Sequence, residues 1–242
     1  MGLELNRRGF LTAATLSASA VATGASVFAI EGLPAEAAGW PKSALWRLPA
    51  HSGAIAWTVD DGKSYDTVSK YIDFIEQSGI RLTFFVTTKY SSWLKVQPRL
   101  QPLVDSGQVQ LGNHTMNHPN LTKLSAAQVQ SELAGCQKFI QDHFGVESRP
   151  YFRPPYGYLN ETVIKAAADI GYTKPVLWLG SLGDSTPISA PALLKLANTW
   201  MTEDRLLIGH ANQPTVTHLY GQLLGILQKR HLKTVTIKDV FG

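Results

Sequence analysis

The sequence predicts an α/β fold, a distorted (β/α)7 barrel in a single domain, and three observations carry that expectation. Seven short apolar, β-rich runs alternate with amphipathic segments of helical spacing after about residue 40. No domain-breaking linker interrupts the alternation. Polar residues capable of chemistry fall just after several of the strand runs, where a barrel of parallel strands carries its site. Alternation alone also admits an open sheet; seven units in one short chain favour closure.

The first strand is expected at 54–60, where Ala54-Ile55-Ala56-Trp57-Thr58-Val59 runs into Asp60-Asp61-Gly62. Val68, Ile72 and Ile75 make one helical stripe that Ser78-Gly79 closes. Strands at 81–88 and 109–114 follow. Ser125-Ala126-Ala127-Gln128 has capping-box spacing and opens a helix whose apolar face carries Val129, Leu133, Cys136 and Ile140, so Cys136 reads as core and not as a nucleophile. Strands at 151–153, 173–180, 205–210 and 233–238 complete the set. Asn160 and Ser189 are N-caps of two intervening helices, and Thr215 begins the last long one near Leu219, Leu223 and Leu227.

Composition excludes several classes. With 44% hydrophobic and 17% charged residues in 242, the chain can bury a full core, and collagen-like, low-complexity and coiled-coil readings fail. A single cysteine permits neither an internal disulfide nor a multi-cysteine zinc site, so any metal must use histidine and carboxylate. Asn6-Arg7-Arg8-Gly9-Phe10-Leu11 precedes a mild apolar stretch at 11–30, and Ala35-Glu36-Ala37 supplies small residues for cleavage. This resembles a twin-arginine export signal. Residues 1–37 are therefore expected to be removed, leaving a lead-in at 38–53 and a catalytic domain at 54–242. Seven of the twenty positions 11–30 are Ser, Thr or Gly, which disfavours a stable membrane span. Cleavage raises the net charge from +4 to about +5, which favours anionic wall polymer. The basic residues are scattered, so nucleic acid is not an expected partner.

Adjacent carboxylates at the end of an apolar run repel and lose hydration unless a cation lies between them, and Gly62 allows a turn that aims Asp60 and Asp61 into one pocket. Alone, Asp-Asp-Gly reads equally as a surface turn. His114 and His118, after the third strand, are four apart, and one helical turn would bring both imidazoles to one side. With one aspartate they form a set of nitrogen and oxygen donors with open positions. Arg153-Pro154-Pro155-Tyr156-Gly157 is a rigid segment whose Tyr156 N–H could serve as an oxyanion donor. His210 ends the sixth strand; a lone histidine there is more often structural.

Together these segments resemble the polysaccharide deacetylases, carbohydrate esterase family 4, over about residues 54–238. Thr58-Val59-Asp60-Asp61-Gly62 resembles the first motif, which implies Asp60 as base and Asp61 as metal ligand. His114-Thr115-Met116-Asn117-His118-Pro119 resembles the second, with both histidines as ligands. The third implies that Arg153 pairs with the base and that Tyr156 donates its N–H to the oxyanion. Ile208-Gly209-His210 resembles the fifth, which implies His210 as general acid and Ile208 in the acetyl-methyl pocket. The fourth departs: Trp178 and Asp184 remain, but Ser181 and Ser185 replace an acid and an aromatic. Asp184 could still support imidazolium at His210, whereas Ser181 removes a usual support of Arg153.

The resemblance implies a secreted or cell-wall-associated, monomeric enzyme: a hydrolase with a divalent metal, zinc (Zn2+) above all with Co2+ or Ni2+ as alternatives. It would remove N-acetyl groups from N-acetylglucosamine polymers of the peptidoglycan or chitin type. An O-acetyl esterase acting on xylan is the alternative, and a metal-containing carbohydrate-binding protein without catalysis is another of a different class. Gly180-Ser181-Leu182-Gly183 lacks the spacing of a serine nucleophile elbow. The N-x-T sequences at Asn113, Asn120 and Asn160 read as chance, and Trp93 and Tyr158 read either as sugar-stacking or as core residues.

Overall fold

Strand β1 (Ala54–Asp61) organises the molecule. It is buried along its whole length, as a parallel strand covered on both faces must be. Ile55, Trp57 and Val59 join the large core under the helices, whereas Ala54 and Ala56 join the barrel interior with Phe85, Tyr151, Val176, Leu206 and Ile237. The computed structural model describes residues 43–242. The expected export signal at 1–37, with the start of the expected lead-in, lies outside the described residues.

Around β1 the elements follow in order: α1 (Tyr65–Ser78), β2 (Leu82–Val86), α2 (Ser92–Asp105), β3 (Val109–Asn113), α3 (Ala126–Phe144), β4 (Tyr151–Phe152), α4 (Glu161–Asp169), β5 (Lys174–Pro175), α5 (Ala190–Trp200), β6 (Arg205–His210), α6 (Tyr220–Lys229), β7 (Lys233–Thr234) and α7 (Ile237–Phe241). The sheet runs β5-β4-β3-β2-β1-β6, with β7 paired to the start of β1, and every pairing is parallel. This is the expected single-domain α/β barrel, curled and incompletely laddered. The expected N-caps hold: Asn160 accepts from Val163 N–H, Ser189 from Ala192 N–H, and Ser125 forms its capping box. Gly79 ends α1 in the left-handed conformation.

Four expectations need correction. The strand expected at 173–180 shrinks to β5. Beyond Pro175 the segment crosses from β4 toward β6, where Leu179 N–H bonds Leu206 O and Ser181 bridges Ile208. Leu45 fills the remaining opening, bonding Pro175 O and Leu177 N–H. The strand expected at 233–238 ends at Thr234, because Thr236 and Asp239 form a second capping box that starts α7. Ile237 then plugs the floor of the barrel. Thr215 does not begin the last long helix: its hydroxyl donates to Ile188 O within a 3-10 turn, Pro214–His218, and α6 starts at Tyr220. Finally, β2 ends at Val86 and β3 at Asn113, so His114 belongs to a loop.

Inside the barrel Gly112 leaves room for Phe85. A Cβ on Gly112 would lie 2.6 Å from the Phe85 ring, over which the Arg153 guanidinium packs at 4.2 Å from the centroid. Gly112→Ala is expected to lower stability by about 1–3 kcal/mol through overpacking. A urea midpoint that falls with an unchanged slope would show this; an unchanged midpoint would mean that the ring moves freely.

Candidate active site

The carboxyl ends of β1, β3, β4 and β6 converge on a cleft of about 490 Å³ that contains Asp60, Asp61, His114, His118, Tyr156, Ile208 and His210. Arg153 lies beneath its floor, wholly buried. Its guanidinium makes four hydrogen bonds: to Asp60 Oδ1 at 2.6 Å, Thr58 Oγ1 at 2.8 Å, and the carbonyls of Val176 and Leu177 at 3.1 Å each. It also packs over the Phe85 ring at 4.2 Å and the Trp178 ring at 5.8 Å. The Val176 and Leu177 carbonyls, just beyond the end of β5, thus meet two of the Arg153 donors. Ser181 itself accepts from Gly183 N–H.

Asp61 is held by two donors. Trp93 Nε1–H donates to its backbone carbonyl at 2.9 Å, and Asn212 Nδ2–H to its Oδ2 at 2.5 Å. The other carboxylate oxygen, Oδ1, is buried without a hydrogen-bond partner and faces His118 Nε2 at 3.2 Å and His114 Nε2 at 3.5 Å. Asp61 occupies the left-handed backbone region at φ 74°, and Gly62 follows at φ 86° with the Trp93 ring only 2.4 Å from where a Cβ would stand. No other residue fits there. Ser92 Oγ–H closes the turn by donating to Gly62 O.

The two histidines converge without a helical turn, contrary to expectation. Thr115 (φ 70°) and His118 (φ 59°) both take left-handed conformations, and the loop is pinned by side chains. Asn113 Oδ1 accepts from Thr115 N–H, Thr115 Oγ1 accepts from His118 N–H, and the Glu132 carboxylate accepts from the N–H and amide of Asn117. His114 Nδ1–H donates to Arg153 O at 2.7 Å, which leaves the Nε2 lone pair directed at Asp61.

Burial pushes the His114 imidazole below its ordinary value and keeps it neutral. Burial alone would raise the Asp61 carboxyl, but the neighbouring imidazoles, His118 foremost, outweigh it and hold the group well below the carboxylate range. A cation fits this set. One ligand atom from each of Asp61, His114 and His118 lies within 4.8 Å of the others, and the orphaned Asp61 Oδ1 lacks only a positive partner.

Across the cleft, His210 Nδ1 lies 3.1 Å from Asp184 Oδ1. Burial draws the His210 pKa down, but the hydrogen bond and charge of Asp184, with Asp60 and Asp61 behind, raise it above the usual histidine value. Ile208, 3% exposed, lines the same wall. Tyr156 stands at φ 62° and is 55% exposed, its ring 4.9 Å from that of His118 and 5.6 Å from that of Tyr158. Trp93, by contrast, is entirely core. Sequence reasoning did not find Asn212, Glu132 or Thr58; Asn212 lies two residues beyond His210, where no motif marks it.

Comparison with known proteins gives a consistent assignment. The family model described as polysaccharide deacetylase matches residues 48–175. The chain is 34% identical over 122 residues to the peptidoglycan-N-acetylmuramic acid deacetylase PdaA of Bacillus subtilis, covering 50% of this chain and 44% of that protein. It is 38% identical over 132 residues to chitin deacetylase 1 of Cryptococcus neoformans, covering 54% and 27%. The chain thus spans less than half the length of these curated relatives. A CE4 family pseudoenzyme from Bacillus anthracis has the same fold, with a TM-score of 0.73 and 17% identity over 84% of this chain and 70% of that one.

Removing the guanidinium would leave Asp60 buried and unpaired, so Arg153→Ala is expected to cost about 3–5 kcal/mol in urea unfolding, and Arg153→Met with Asp60→Asn distinctly less. A loss no smaller in the double variant would contradict the pairing. For His210, a pKa raised in the folded state adds stability below the unfolded value that disappears as pH rises through the folded value. Asp184→Asn should lower the His210 titration seen by NMR and diminish this contribution; an unmoved titration would remove Asp184 as its cause.

Proposed function

Because the chain belongs to the polysaccharide deacetylase family, we propose that it is an exported, metal-dependent hydrolase that removes N-acetyl groups from N-acetylglucosamine polymers of the peptidoglycan or chitin type. The observation that carries this reading is the divided Asp61 carboxylate: one oxygen is taken by Asn212, and the other is buried, unpartnered and directed at two imidazole nitrogens beside the arginine-paired Asp60. Similarity to peptidoglycan and chitin deacetylases supports the substrate class. The arginine pair at positions 7–8 supports export, and no described helix is long and apolar enough to cross a membrane.

Asp61, His114 and His118 would hold the divalent ion, zinc in this reading, which when bound supplies Lewis acidity for the acetyl carbonyl and its attacking water. Asp60, fixed by Arg153, takes the proton of that water. The Tyr156 N–H donates to the oxyanion of the tetrahedral intermediate, while Ile208 bounds the space for the acetyl methyl. His210, whose pKa the contact with Asp184 raises, gives a proton to the departing nitrogen, without which an amine leaves poorly. Acetate and a free amino sugar result. Residues 54–242 form the catalytic unit, and Asp184 and His210 lie beyond the part matched by the family model, so their roles rest on geometry.

Acetate release from chitooligosaccharides is expected to stop on treatment with a chelator and to return with zinc. Asp60→Asn and His210→Ala should each lower kcat by roughly 10²–10⁴. Release from acetylated xylan alone would replace the amide reading with the ester one, and sugar binding without any acetate under saturating zinc would make the chain a binding protein.

A further inference from the structure

Behind the His210–Asp184 pair, on the helix side of β6, lies a group of buried polar atoms that the proposed chemistry does not use. Asp184 is fully buried; its Oδ1 meets His210, but its Oδ2 has no partner. Three further side-chain atoms are buried without partners: Trp57 Nε1 on β1, Tyr71 OH on α1 and Tyr220 OH on α6. They are neighbours. The Tyr71 and Tyr220 rings are 5.2 Å apart, and those of Trp57 and Tyr71 6.1 Å. A Cβ placed on Gly209, the residue before His210, would be 3.4 Å from both Trp57 Nε1 and Tyr71 OH.

Their chemistry is complementary. A carboxylate oxygen only accepts, an indole N–H only donates, and a phenol does both. Burial keeps the two phenols protonated, and the charge of Asp184 adds to that effect on each, so both remain donors. Buried polar atoms are rarely left unpaired, and a water in such a place needs two to four polar partners, which this group provides.

We propose that Tyr71, Tyr220 and Trp57 form a buried polar pocket that holds ordered water, donates through it to Asp184 Oδ2, and so makes the two tyrosines positioning residues for His210. The functional part of this inference rests on the reading of His210 as proton donor to the leaving nitrogen. Fixing the second oxygen of Asp184 prevents its carboxylate from rotating away from the imidazole, as outer hydrogen bonds do at other histidine sites.

The test uses zinc-loaded protein, Tyr71→Phe, Tyr220→Phe and the double variant, each of which keeps the ring and removes the hydroxyl. Each single variant should lower kcat for N-acetylated chitooligosaccharide about fivefold, the equivalent of one net hydrogen bond, with KM unchanged. Hydrolysis of 4-nitrophenyl acetate, whose leaving group needs no proton, should not change. Equal losses on both substrates, or an undiminished kcat in the double variant, would overturn the positioning role. Where Tyr71→Phe does not fold, Tyr220→Phe carries the comparison. If the unmodified protein releases no acetate from chitooligosaccharide, the deacetylase reading fails, and the pocket is decided separately by a high-resolution crystal structure. Ordered water bonded to Asp184 Oδ2 and a tyrosine hydroxyl would support it; a dry pocket would overturn it.

Discussion

The burial of one guanidinium inside the barrel constrains both the fold and the cleft. Arg153 has no exposure to water, and a charge in that position persists only if its donors are met and its charge is balanced. Asp60 supplies the balancing charge, while Val176 and Leu177 turn their carbonyls inward. Those carbonyls are then unavailable to a regular ladder. The fifth strand is short, since after the Val176 N–H bonds Phe152 O the β4 side offers Pro154, which has no N–H to donate, and the wall is completed by Leu45 on one side and Ser181 on the other. The carbonyls left free where the sheet is interrupted are those that hold Arg153 against the proposed base.

A second constraint is local. Four of the non-glycine residues with positive φ, Asp61, Thr115, His118 and Tyr156, lie around the same cleft. Such conformations cost on the order of 1–3 kcal/mol each and persist only where the surroundings fix them. Trp93 fixes the first, Asn113 the second and Thr115 the third. Strain gathered at one rim of a barrel, with side chains committed to maintaining it, is what a site that must hold three ligand atoms in a set geometry requires.

Much of this was legible in the sequence, for definable reasons. Alternating β and α signals marked the barrel because parallel strands buried on both faces read as short apolar runs, and β1 is the plainest example. The order of Asp60, Asp61, His114, His118, Arg153 and His210 at strand ends was readable because each follows such a run. What escaped was set by tertiary hydrogen bonding. The 173–180 run has strand-like residues, but two of its carbonyls go to Arg153 and its later backbone groups to β6. The His114–His118 spacing suggested a helical turn, but Glu132, from a distant helix, holds a loop instead. Asn212 carries no local signal, since its task is defined only by the oxygen of Asp61 that it occupies. Thr236-x-x-Asp239 has the spacing of a capping box, but its β-branched neighbours read as a strand.

The two histidines that face each other across the cleft show how one side chain can suit opposite tasks. Both sit at the mouth of the same barrel and both are largely withdrawn from water, so desolvation acts on each toward the neutral form. What differs is the partner of Nδ1. For His114 it is the carbonyl oxygen of Arg153, a neutral acceptor that fixes the tautomer without paying back the lost hydration of a charge, and the net displacement is downward. For His210 it is the carboxylate of Asp184, whose charge more than offsets burial, and the net displacement is upward. A neutral imidazole with a free Nε2 suits a metal ligand, and a charged one suits a proton donor. The roles proposed for the two histidines therefore depend on their surroundings as much as on the imidazoles: His114 needs the Arg153 carbonyl behind it and the Asp61 oxygen before it, and His210 needs the Asp184 carboxylate.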